Sequence, residues 1–163
     1  MFEPAVIRRY SNRAFPPYRH VPGSTPHPTR DPEGHSFGDD ARHLPDLNAS
    51  DWRHCDAYLY GIDLFNAGYW WEAHEVLEGL WHAAGIGTPA AHVLQAVIQC
   101  AAAHLKTFTG RPVGARRLFE QAHNHVLWRR DHHLGLDLIG MLADTGAFIT
   151  GDTPRPAHLV LYF

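Results

Sequence analysis

The sequence predicts an all-α fold: a compact bundle of about five helices behind an extended Pro/His-rich N-terminal arm. Three observations carry this. From residue 51 onward, apolar residues recur at three- and four-residue spacings in successive segments. Short Gly- or Pro-containing breaks separate those segments. Eight of the twelve prolines fall in the first 45 residues, and the stretch from Pro16 to Pro28 cannot be a helix. The expected organisation is an arm over 1–50, laid on the body, and one helical domain over 51–163. Phe15, Tyr18, Val21 and Phe37 give the arm apolar groups to dock.

The first helix begins near 51, with Ser50 as its N-cap and Trp52, Cys55, Tyr58, Leu59, Ile62 and Phe65 as its stripe. Asn66-Ala67-Gly68 ends it. The second runs from Tyr69 to about Ala84 around Ala73, Val76, Leu77 and Leu80. Gly85 to Pro89 breaks the chain, and Pro89 suits a first helical turn. The third, Ala90 to about Thr109, is apolar nearly all round and is expected at the centre of the bundle. A fourth spans about Val113 to Trp128. A fifth is placed at about Leu134 to Leu142, weakened by Gly135 and Gly140. His158 to Phe163 reads as a short strand or a docked apolar tail.

The chain has 163 residues and a formal charge of −3, which argues against a protein that coats nucleic acid or an anionic membrane. No apolar run approaches the ~20 residues that cross a bilayer, and the N-terminus lacks a secretory pattern. A cytoplasmic location is the default expectation. Cys55 and Cys100 are too few for a disulfide framework and read as small buried hydrophobes. Histidine is abundant, with 14 residues against 14 Lys plus Arg, but number alone defines no site.

Chemistry concentrates in the second helix. Three of the six glutamates, Glu72, Glu75 and Glu78, lie within seven residues, with His74 among them. At about 100° per residue, His74 and Glu78 stack one turn apart beside Trp70 and Trp81, at the margin of the apolar stripe. A His and a carboxylate so placed can share a divalent metal ion or form a proton-transfer pair. His74-Glu75-x-x-Glu78 departs from the zinc-protease H-E-x-x-H at its last position, leaving Glu75 in the place of the general base. A further ligand must come from elsewhere, His104 on the third helix or His20, His27 or His35 on the arm. Glu75 points about 100° away from His74, which disfavours their joint use. Gln95 and Gln99 share one side of the third helix and need polar partners there, which His74, Glu75 or Glu78 would supply. The preferred site is therefore an inter-helix polar cluster. The same residues also read as helix-dipole carboxylates and a hydrogen-bonded i, i+4 pair with no function beyond stability.

Weaker signals are Glu120-x-x-His123, one element of a di-iron bundle, and the pairs Arg116-Arg117 and Arg129-Arg130. His123-Asn124-His125 and His132-His133 read as exposed histidines at a helix end and loop.

Leu64-Phe65-Asn66-x-Gly68-Tyr69-Trp70-Trp71-Glu72-Ala73-His74-Glu75-x-Leu77-Glu78-x-x-Trp81 resembles the signature of the prokaryotic family catalogued as domain of unknown function 309. Leu94-Gln95-x-x-Ile98-Gln99 and Gly114-Ala115-x-x-Leu118 follow at fitting distances. The resemblance covers about residues 56–127. It implies a small all-helical fold and supplies no activity. The Pro/His-rich arm resembles an N-terminal extension found in some relatives.

Two functional readings stand. In the first, a metal or small molecule sits between the second and third helices on His74, Glu78 and His104. Glu75 would be the catalytic base and Trp70, Trp81, Gln95 and Gln99 would line the site, in metal-assisted hydrolysis or acid/base chemistry. In the second, the chain is a non-catalytic partner-binding module, with a homo-oligomer among the expectations.

Overall fold

The computed structural model describes residues 7–39, 47, 51–127 and 133–163. Among them are five α-helices: α1 Asp56–Asn66, α2 Trp70–Ala84, α3 Pro89–Phe108, α4 Pro112–Val126 and α5 Leu138–Thr150. There is no strand among the described residues, only isolated bridges that tie Leu136 to His133 and to Leu161.

The first helix starts later than its apolar stripe. Trp52–His54 form a separate 3-10 turn, and extended backbone at Cys55 redirects the chain before α1. Trp52 and Cys55 are buried as the stripe requires. The expected cap, Ser50, lies outside the described residues. Gly61 sets the approach of α1 to α2: a Cβ there would stand 2.7 Å from a Leu77 methyl.

The Thr88 hydroxyl accepts from Ala91 N–H and Pro89 opens the first turn of α3, as capping predicts. This helix packs against α2, α4 and α5. Val93, Leu94, Ala96, Val97, Cys100 and Ala101 are closed to solvent. It is the central helix, as its composition foretold.

The fifth helix departs from expectation. Leu134 and Gly135 take positive φ and form a buried turn, and α5 starts at Leu138. The Asp137 carboxylate accepts from Gly140 N–H and caps the helix. Gly151, at φ +83°, terminates it in the left-handed conformation.

Described residues of the arm make hydrogen bonds to α1 and α2. Asp63 of α1 is fully buried and accepts from Tyr10 N–H (2.8 Å), Ser11 N–H (2.9 Å), Ser11 Oγ (2.7 Å) and Arg9 Nε (3.0 Å). The hydroxyls of Tyr60 and Tyr69 donate to the carbonyls of Ala14 and Pro16. Phe15 stacks on Tyr69. The tail, 151–163, docks as well: Asn66 exchanges two hydrogen bonds with the Leu159 backbone, and Leu161 N–H reaches the Tyr10 hydroxyl. Among the described residues no helix is long and apolar enough to cross a membrane.

Candidate functional site

α2 carries the chemistry on two sides. On one, the His74 ring bridges two carboxylates: Nδ1 lies 3.3 Å from Glu75 Oε1 and Nε2 lies 3.8 Å from Glu78 Oε2. One ligand atom from each of the three residues falls within 4.8 Å of the others. Among the described residues this is the group of three or more His, Cys, Asp or Glu side chains so gathered. Donor atoms around a divalent ion at ~2.1 Å sit roughly 3.0–3.5 Å apart, so an ion on one ring nitrogen would require the carboxylates to draw in towards that nitrogen. His74 is half-buried, and Glu75 and Glu78 keep access to solvent. The hydrogen-bonded Glu75 carboxylate holds the His74 pKa above its ordinary value against the opposing effect of burial, with Glu78 adding to it. His74 in turn lowers Glu75, with smaller help from His27 and Arg30.

The expectation that Glu75 diverges from His74 does not survive. A residue-by-residue angle describes where Cβ leaves the helix, whereas the Glu75 side chain is long enough to fold back onto the neighbouring ring.

Residues expected to complete the site from α3 do not join this group. His104 is fully buried. Its Nδ1 lies 2.7 Å from the Cys100 carbonyl and its Nε2 accepts from Ala157 N–H at 3.0 Å. With both nitrogens engaged, and with Phe65, Trp70 and Phe148 around the ring, it has no lone pair for a metal. Burial lowers its pKa from 6.5 to about 4. Among the described residues no hydrogen bond links Gln95 or Gln99 to His74, Glu75 or Glu78, and Gln99 Oε1 is buried without a partner. Trp70 belongs to the core against His104, Phe108 and Phe148. Trp81 is half-buried with its ring against His82. The three gathered ligands all come from α2.

On its other side α2 faces the arm. A cleft of about 920 Å³ opens between the arm, the start of α1 and α2. Glu72, Glu75 and Trp71 line it from α2, Tyr60 and Asp56 from α1, and His35 from the arm. Glu72 is 4% exposed. Its Oε1 accepts from His20 N–H at 2.7 Å and lies 3.1 Å from His35 Nε2. Its Oε2 is buried, with no hydrogen-bond partner among the described residues. His20 and His27 meet the Trp71 ring edge-on. Burial, reinforced by His27, lowers the His20 pKa.

Trp71, Glu72 and Tyr60 are not among the site residues expected from the sequence, and His20, His27 and His35 are expected there only as alternative ligands. A usable signal existed. Glu72 borders the apolar stripe of α2, and an arm rich in aromatics and histidines needs a surface to cover. Elsewhere, Glu120, His123, Arg116 and Arg117 are exposed on α4, in keeping with a solvated face. His125 differs from expectation: it is half-buried, with Nδ1 3.0 Å from His92 Nδ1. Arg129, Arg130 and His132 lie outside the described residues. Cys55 and Cys100 are buried free thiols.

No curated protein matches the chain. Residues 58–118, from the first turn of α1 to the middle of α4, match the family model described as Domain of unknown function (DUF309). The span includes His74, Glu75, Glu78, Glu72 and Trp71 and leaves the arm outside. Over those residues the chain is thus similar to DUF309, a family whose description names no activity.

Proposed function

We propose that this helical protein binds a divalent metal ion at His74, Glu75 and Glu78. The convergence of one imidazole and two carboxylates on a single turn of α2 carries the reading. One nitrogen and two carboxylate oxygens suit a borderline first-row ion such as Zn²⁺ or Mn²⁺ better than Ca²⁺, which prefers an all-oxygen shell. Three protein ligands leave coordination positions for water or a small molecule, the arrangement of a catalytic rather than a structural site. The chemistry on offer is Lewis-acid polarisation or water activation, that is, metal-assisted hydrolysis. Glu75 is then a ligand and no longer a free general base. The group lies beside the arm-covered cleft, with Glu75 on its rim, so a bound molecule would have a place to sit.

The test is elemental analysis of protein purified without an affinity tag, alongside His74→Ala. Near-stoichiometric metal in the parent, absent from the variant, with a thermal midpoint raised by added Zn²⁺ only in the parent, is the expected result. No metal, and no shift on adding Zn²⁺ or Mn²⁺, would leave His74 as the hub of an ion-paired helix turn.

A further inference from the structure

Away from the His74 group, two histidines from different helices meet at one end of the bundle. His92 lies in the first turn of α3 and His125 in the last turn of α4, and both are half-buried. Their Nδ1 atoms are 3.0 Å apart. The ring centroids stand 5.3 Å apart, which is that separation plus one ring radius on each side, so the two nitrogens face each other head-on. The ring planes are inclined by 41°, a twist about the shared axis that leaves both lone-pair directions on it. In the neutral pair one Nδ1–H donates to the other Nδ1. Burial, with His92 close by, lowers the His125 pKa, so this ring stays neutral, as a metal ligand must.

We propose that His92 and His125 form a bis-imidazole site for a monovalent copper ion, Cu⁺, held between their Nδ1 atoms. Two nitrogen donors on one line suit a soft d¹⁰ ion that accepts two-coordination, whereas Zn²⁺ asks for a tetrahedron and Cu²⁺ for a tetragonal plane. An ion about 2 Å from each nitrogen needs them roughly 4 Å apart, so the rings part by about 1 Å along the axis they already share. The proton of the N–H···N bond leaves Nδ1, and the same ring takes one at Nε2, its other neutral tautomer. Competing sites for a soft ion are poor among the described residues. Cys55 and Cys100 are buried thiols whose burial raises their pKa values, Cys100 to about 12, so neither offers a thiolate at neutral pH. The His74 group sets two hard carboxylates beside one nitrogen. The two sites therefore differ in chemistry, and the pair between α3 and α4 does not depend on metal at His74.

The probe is Cu⁺ itself, kept in solution by a small proportion of acetonitrile and titrated without oxygen into full-length, tag-free protein. Saturation at one ion per chain is expected. X-ray absorption at the copper edge should then show two nitrogen scatterers about 2 Å from the metal and no sulfur near ~2.3 Å. His92→Gln and His125→Gln keep a polar side chain in each place and should each weaken Cu⁺ by at least about tenfold. They lie on separate helices, so one gives a reading if the other fails to fold. His74→Ala should bind Cu⁺ as the parent does, which separates this site from the one on α2. Sulfur in the copper shell, undiminished binding in either glutamine variant, loss of copper in His74→Ala, or no saturation up to about 1 mM would each overturn the proposal.

Discussion

Acidification should destabilise this fold through one identifiable side chain, His104. The imidazole is closed to solvent. Ala157 N–H donates to its Nε2, which fixes the proton on Nδ1, where it is given to the Cys100 carbonyl. A second proton on Nε2 would collide with the Ala157 amide and place a charge among Phe65, Trp70 and Phe148. Burial accordingly lowers the pKa from 6.5 to about 4. The unfolded chain therefore takes up the proton first. The stabilising contribution is fully present above the unfolded value, is lost as pH falls from about 6.5 towards 4, and changes no further below that. At 1.36 kcal/mol per pKa unit, the loss between pH 7 and 4.5 is roughly 2.5 kcal/mol. Urea unfolding of the parent and of His104→Gln at both pH values isolates this contribution, because His20, His125 and His158, whose burial acts in the same direction, remain in both. The parent should lose about 2.5 kcal/mol more than the variant over that interval. Equal losses would show that His104 protonates in the native state at little cost, and the account of its burial would be wrong.

Other consequences follow from the packing. Asp63→Ala leaves the Tyr10 and Ser11 amides and Arg9 without their acceptor and should cost about 3 kcal/mol in a denaturant melt, and an effect below 1 kcal/mol would show that the arm is not held there. Gly61→Ala drives a methyl into Leu77 and should cost about 1–3 kcal/mol, with loss measured as a fall in thermal midpoint. Asp137→Ala removes the cap of α5 and should cost about 1 kcal/mol by the same measure.

Periodicity located α2, α3 and α4 to within a residue or two because each stripe is long and bounded by Gly or Pro. It misplaced α5 because the apolar residues at Leu134 and Leu136 belong to a buried turn, and only the Asp137 cap and the Gly151 stop mark the real helix. The pairing of His74 with Glu78 was readable from i, i+4 spacing alone. The role of Glu75 was not, since it depends on a side chain folding back on its neighbour. Glu72 and the histidines of the arm were out of reach for a different reason. Their meeting joins residues 52 and 37 positions apart, and no local pattern reports where an extended arm settles.

Metal coordination by His74, Glu75 and Glu78 of α2 can be observed directly. Anomalous diffraction at the zinc edge, from crystals of tag-free protein grown with Zn²⁺, tests it directly. A single strong peak ~2.0–2.2 Å from a His74 ring nitrogen and from oxygens of Glu75 and Glu78 is the predicted result. Zinc that appears elsewhere, with none between those three side chains, would contradict it.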